Sequence, residues 1–271
     1  MLILAAHAFY MIAFTVGSAW DLMTTEVPDS ISIASILVGV ALHAALFFQT
    51  GNSQPLIWSM AAGSVFGIYG WAMYFTGSWG GADAFALTAL GFSAAVSLSG
   101  PSFVHLFDLF VNVMLAGFLY AVSFSIYKAF QTEGFVSAFG EKLRKSKNRM
   151  IVELAGSIFL SIILSRLIGI SLFFYLGSLV GMIFLYRFLK VIEEKAMTKK
   201  MNVSEVEVGE VIVEGGKDSK IKGATEEDLE ELSGEVKVKE GVMFVPVFPV
   251  ALFLTDMQLF GIEILVNLVS L

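Results

Sequence analysis

The sequence predicts an all-α polytopic membrane protein of about eight transmembrane helices (six to eight), with a small cytoplasmic α/β insertion before the last span. Three observations predict it. Hydrophobic residues make up 56% of the 271-residue chain and charged residues only 15%, against about 25% charged in soluble domains. No Lys or Arg precedes Lys128, and the same stretch holds just five acids, Asp21, Glu26, Asp29, Asp83 and Asp108. So polar-poor a segment cannot clothe a surface in water. Finally, the apolar residues fall into runs near the roughly 20 that a helix needs to cross hydrocarbon.

The runs follow one another in order. Leu2 to Trp20 is closed by Asp21, and the opening MLILAAHAF lacks the basic start and small-residue cleavage pattern of a removed signal peptide. Ile31 to Phe48 follows the polar turn around Pro28, which is expected to start that helix. Leu56 to Phe75 follows a Gly-Asn-Ser-Gln-Pro loop. Gly77, Gly80 and Gly81 then interrupt the chain before Asp83, and Ala84 to Leu98 is a run short for a span. Phe103 to Ile126 completes a five-span core, residues 1–128. Residues 129–149 are expected as a basic loop, carrying Lys142, Arg144, Lys145, Lys147 and Arg149. Residues 150–190 are too long for one span at 1.5 Å rise per residue, and read as a helical membrane hairpin turning near Arg166 to Gly169.

Residues 191–242 form a hydrophilic insertion with 14 of the 24 acids and 8 of the 17 basic residues. Val alternates with Glu from Val203 to Val213, which predicts a strand or two, and Thr225 to Asp228 opens a capped helix. Residues 243–271 are apolar again and are expected as the last transmembrane helix, with Asp256 and Glu263 bending it to the surface. Short basic loops lie in the cytoplasm. With residues 128–149 inside, parity places the turns holding Asp21 and Asp83 inside too, and the second basic cluster, Arg187 to Lys190, agrees.

Composition also excludes several classes. No basic face suggests nucleic acid. With no Cys there are no disulfides, thiolate metal sites or cysteine nucleophile. His7, His43 and His105 are scattered over three spans without ligand spacing, so neither a metal nor another cofactor is expected. Asp108 reads as interfacial.

Asp21 and Asp83 carry the chemistry. Carboxylates at membrane depth are costly and usually face a bundle interior, where they mark function. When two carboxyls approach to about 3 Å, one must hold a proton; one can then activate water while the other donates a hydrogen bond to a scissile carbonyl. The glycines before Asp83 let a backbone approach an extended substrate. Taken singly, each Asp reads equally well as a helix cap or interfacial anchor, and paired glycines as close helix packing.

Together these residues resemble a family. Asp21-Leu22-Met23-Thr24-Thr25-Glu26-Val27-Pro28-Asp29 is similar to the first aspartate segment of type IV prepilin peptidases, and Gly80-Gly81-Ala82-Asp83 resembles their GxGD motif in its archaeal form. The tail from Gly234 to Lys239 into Phe244-Val245-Pro246 is similar to the end of archaeal preflagellin peptidases. The resemblance implies a membrane-embedded aspartyl endopeptidase in the cell membrane, working at the cytoplasmic face on the short basic leader of archaellin or pilin-like precursors. Asp21 and Asp83 would be the catalytic pair, and Gly80, Gly81 and Ala82 the motif around the second. Glu26 and Asp29, beside Pro28, are candidate leader-binding acids, or else a solvated turn. Members commonly carry basic residues where this chain has Met23, Thr25 and Phe85, which allows an altered or catalytically impaired relative. The methylating branch uses Cys motifs, so methylation is not expected. A second class, an ion-coupled secondary transporter with Asp21 and Asp83 as ion ligands, would show inverted repeats, and none is visible. A presenilin-like protease would carry Tyr-Asp where this chain has Trp20-Asp21.

Overall fold

The structure is a computed structural model and describes residues 1–271 apart from 77, 169–170, 207–210, 215–225, 233, 240, 260 and 262–271. It is the all-α membrane fold that composition predicts. Ten helices and three strands follow one another among the described residues. They are α1 (Leu2–Thr24), α2 (Asp29–Thr50), α3 (Gln54–Phe75), α4 (Gly81–Ala94), α5 (Phe103–Gln131), α6 (Phe135–Lys145), α7 (Lys147–Ile168), α8 (Leu172–Lys195), β1 (Thr198–Asn202), β2 (Val211–Glu214), α9 (Glu226–Glu231), β3 (Glu235–Lys239) and α10 (Val247–Asp256). Six of them, α1, α2, α3, α5, α7 and α8, are long and apolar enough to cross a membrane. The eight apolar runs therefore become six helices of spanning length and two shorter ones, α4 and α10.

The chain forms two compact units, one from Met1–Ala121 with the segment from Gly241 onward, the other from Val122. The first is built around α4. At 14 residues this helix is about 21 Å long, short of a bilayer core of about 30 Å. It ends at Ala94 rather than near Leu98, because residues 95–100 turn away through a short bridge between Ser97 and Gly100. Its sequence, GADAFALTALGFSA, is rich in small residues, so neighbouring backbones can press against it. A Cβ added at Gly91 would stand 2.7 Å from the Gly63 Cα, and one at Gly39 would stand 2.7 Å from the Ser93 Cα. Ala86, Leu87, Ala89, Leu90 and Ala94 lie fully buried against Tyr10, Phe14, Phe66, Leu109 and Phe248.

Side-chain donors supply partners along this packed helix. Tyr10 donates to the Ala86 carbonyl at 3.0 Å, and Ser59 to that of Phe92 at 2.5 Å. Ser93 in turn donates to the Ser35 carbonyl of α2 at 2.7 Å. Without water, a polar hydroxyl that finds a carbonyl ties two helices together at little cost.

In the second unit the basic segment, expected as a loop, contains α6. Its apolar face sets Phe135 and Phe139 against Phe188 of α8, with ring centroids 5.3 and 6.1 Å away. The Met150 to Leu189 run is two helices, α7 and α8; its expected turn at Gly169 lies outside the described residues. They are joined by Arg187, which is buried and donates to Glu153, to Ser146 Oγ at 3.1 Å and to the Ile183 carbonyl at 2.9 Å. The hydrophilic insertion carries a three-stranded antiparallel sheet in the order β1-β3-β2. Of the stretch from Val203 to Val213 expected to hold a strand or two, Val203–Glu205 is a 3-10 turn, residues 207–210 lie outside the described residues, and β2 begins at Val211. The apolar side is supplied by Val236 and Val238 of β3, packed with Val206 and Ile212. Helix α9 starts at Glu226, while its expected cap Thr225 and the acid Glu263 lie outside the described residues.

Two glycine variants separate close packing from helix propensity. Gly91→Val forces atoms into the α3 backbone and should lower stability by about 1–3 kcal/mol or more. Gly140→Ala, in the interior of α6 with nothing within 4 Å of a new Cβ, should raise it by roughly 0.5–1 kcal/mol. Unfolding midpoints in detergent check both.

Candidate active site

Asp21 lies three residues before the end of α1, where Thr25 closes the helix in the left-handed conformation (φ 61°) and donates its N–H to the Asp21 carbonyl at 2.8 Å. Its side chain is 4% exposed. Asp83 occupies the first turn of α4 and is 7% exposed. These two buried acids come from helices that pack together. The hydrogen bond from Tyr10 of α1 to the Ala86 carbonyl of α4, 3.0 Å, fixes the two helices one turn beyond Asp83.

Each carboxylate is oriented by one backbone amide. The Gly80 N–H donates to Asp83 Oδ2 at 2.9 Å, and the Val245 N–H donates to Asp21 Oδ2 at 3.2 Å. The first contact is a helix-start cap, as the bland reading of a lone Asp expects, and the positive end of the α4 dipole also favours a carboxylate there. The second joins residues 224 apart in sequence. It exists because Pro246 begins α10; the Val245 amide just before that helix is therefore unclaimed by it and available to a side chain. The other oxygen of each acid makes no hydrogen bond among the described residues, so both carboxylates are held by one oxygen and keep one for chemistry.

Aromatic rings cluster around Trp79 and Phe244, the residues next in sequence to Gly80 and Val245. Trp79 lies 5.7 Å from Phe244 and 6.1 Å from Phe248, Tyr69 lies 5.9 Å from Trp79, and Tyr120 lies 6.3 Å from Phe244 between ring centroids. Phe244 itself is seated on Gly117, where an added Cβ would stand 2.5 Å from its ring. An apolar groove of about 350 Å³, lined by Met11, Thr15 and Ser18 of α1 and by Pro246, Pro249 and Val250, runs beside this end of the bundle. Ser18 is one helical turn from Asp21, and Pro246 is next to Val245.

The remaining predicted residues divide. Gly80 and Gly81 have open space where a Cβ would go, apart from the Asp83 side chain at 3.4 Å and Tyr74 at 3.9 Å. Ala82 packs against the hydrophobic core. Glu26 and Asp29 are exposed in the turn after α1. Pro28 stands one residue ahead of α2, which starts at Asp29, so this acid lies in the favourable first turn. Of the positions where cations would be usual, Met23 and Thr25 are exposed, while Phe85 packs edge-on against Trp71 at 5.1 Å. Val245, Phe244, Gly117 and Tyr120 were not singled out by residue type. The one signal for them was the Phe-Val-Pro run before the last helix.

The histidines also depart from expectation. His43 is buried alone on α2, bonded to its own Gly39 carbonyl at 2.8 Å. His7 and His105, although 98 positions apart, come together with Asp256, their ligand atoms all within 4.8 Å of one another.

Comparison with known proteins finds leader peptidases. The family model described as "Type IV leader peptidase family" matches residues 8–125, which include both aspartates. A protein named preflagellin peptidase, from Methanococcus voltae, is 31% identical over 86 residues. That match covers 32% of this chain and 36% of the relative, so only about a third of the relative's length is spanned. No solved structure matches the chain significantly. Residues 8–125, the segment that holds Asp21 and Asp83, are similar to the type IV leader peptidase family.

Proposed function

We propose that this protein is a membrane-embedded aspartic endopeptidase that removes the short basic leader from archaellin or pilin-like precursors at the cytoplasmic face of the membrane. The observation that carries the proposal is the pair of buried carboxylates, Asp21 and Asp83, each held by a single backbone amide and borne on helices that pack together. Brought to about 3 Å of each other, the two carboxyls share one proton. The ionised partner takes a proton from water, and the resulting hydroxide attacks the scissile carbonyl. Meanwhile the protonated partner hydrogen-bonds that carbonyl's oxygen as negative charge develops there. Collapse of the tetrahedral intermediate returns a proton to the leaving amine and breaks the C–N bond, so one water is consumed for each peptide bond.

Other features support the same reading. The substrate must be extended at the cut, because a helix keeps its carbonyls in its own hydrogen bonds, and the open space over Gly80 and Gly81 suits an approaching backbone. The α1–α10 groove suits the apolar part of a membrane-inserted precursor. Exposed Glu26 and Asp29 supply negative charge on the Asp21 side for a basic leader. The basic residues of α6 and the α7–α8 pair favour the cytoplasm for their own helix ends.

Incubating membranes that contain the protein with a tagged archaellin precursor tests the proposal. Leader removal should fall about 10,000-fold in Asp21→Asn and in Asp83→Asn, since catalytic groups that act as a unit fail together. Normal processing in either variant contradicts it. A separate variant tests the role of the Val245 amide. Gly117→Leu displaces Phe244 and should lower kcat more than it changes KM, alongside a stability loss of about 1–3 kcal/mol from overpacking. An unchanged kcat would show that the Val245 contact does not position Asp21.

A further inference from the structure

We propose that His7, His105 and Asp256 form a binding site for one divalent transition-metal ion of the zinc type, which clamps α1, α5 and α10 at the end of the bundle away from the catalytic pair. The proposal follows from which nitrogen of each ring carries its proton. His7 Nε2 lies 2.9 Å from the Val96 carbonyl, and His105 Nε2 lies 3.0 Å from the Ala94 carbonyl. A carbonyl only accepts, so both Nε2 atoms are donors, and in a neutral ring each Nδ1 then presents a lone pair. Donating one ring nitrogen to a carbonyl while the other faces a cation is the usual arrangement of metal-bound histidine.

Asp256 completes the set. Its two oxygens lie 3.0 and 3.1 Å from His7 Nδ1. Lone pair faces carboxylate there, and only a cation between them makes the contact favourable. A proton on His7 would serve that pair alone. His105 is stacked on His7 with ring centroids 6.0 Å apart and planes at 28°. It would stay outside such an ion pair, whereas a divalent ion engages all three groups. Two imidazoles and a carboxylate suit zinc, with a fourth position left for solvent or the second Asp256 oxygen. Asp108, one turn beyond His105 on α5, adds negative charge acting on that ring.

The geometry needs only a modest adjustment. Ligand atoms as much as 4.8 Å apart must draw in by about 1 Å to share an ion at bonds of roughly 2.1 Å. Asp256, at the last turn of α10 with its side chain 16% exposed, can supply that movement. The ion would be a strut rather than a participant in hydrolysis, because 14 residues of α1, about 21 Å of helix, separate His7 from Asp21. Helix α10 would then be fastened to α1 at both ends, by Val245 to Asp21 and by the ion at Asp256. This inference is independent of the proposed peptidase activity.

The test uses the full chain in detergent, purified through a tag without histidines and stripped with a chelator. Titration with Zn²⁺ should show one equivalent bound per chain and an unfolding midpoint that rises until one equivalent is reached. Co²⁺ in its place should give the visible absorption of a four-coordinate site, a readout that needs no variant. His105→Gln, which keeps a donor for the Ala94 carbonyl, and Asp256→Asn should each lose the bound equivalent and the rise. His43→Gln should keep both. The proposal is overturned if stripped protein takes up no stoichiometric zinc, if uptake survives both cluster variants, or if zinc leaves the midpoint unmoved, which would mean an ordinary His7–Asp256 ion pair.

Discussion

A short, largely buried helix must find partners for the polar groups at both of its ends, and helix α4 makes this the governing constraint of the first unit. Its first four N–H groups and last carbonyls have no intrahelical partners. At the amino end the solution is Asp83, whose carboxylate takes the Gly80 amide and sits in the positive field of the helix. Past the carboxyl end the solution is two histidines, which donate to the Ala94 and Val96 carbonyls. The two chemically notable clusters of the molecule are thus the two ends of one helix. Small residues along its length let α2 and α3 close against it, which holds both ends in place.

The proposed catalytic arrangement is therefore more than a motif. Asp83 would be a commonplace helix cap if α1 did not bring a second buried acid beside it. Asp21 in turn would have no fixed orientation without the Val245 amide, which is available because Pro246 starts α10 there. The C-terminal helix serves the site through backbone geometry, and Phe244 on Gly117 sets where that backbone lies.

Much of this was legible in the sequence and some was not, for physical reasons. Long apolar runs announce spans, so α1, α2, α3 and α5 were readable from hydropathy, and the two acids stood out against a stretch with almost no charge. Helix α4 was harder, since an apolar run says nothing about whether lipid or protein surrounds it; its small residues were the clue that protein does. The contact between Val245 and Asp21 involves a backbone amide, which has no signature in residue type. The histidines showed no ligand spacing because each ring comes from a separate element, and only folding sets His7, His105 and Asp256 side by side. In the hydrophilic insertion, Val-Glu alternation marked β character but not the register. The partner strand, β3, contributes two valines whose significance depends on pairing with both neighbours.

The claim on which the account stands is that Asp21 and Asp83 are neighbours in the folded protein. The chain has no cysteine, so Asp21→Cys with Asp83→Cys creates its only two thiols. Mild oxidation or a short bis-maleimide in native membranes, followed by peptic digestion and mass spectrometry, should join the peptides holding positions 21 and 83 within one chain. Recovery of those peptides unlinked, while both thiols remain reactive, would contradict the account.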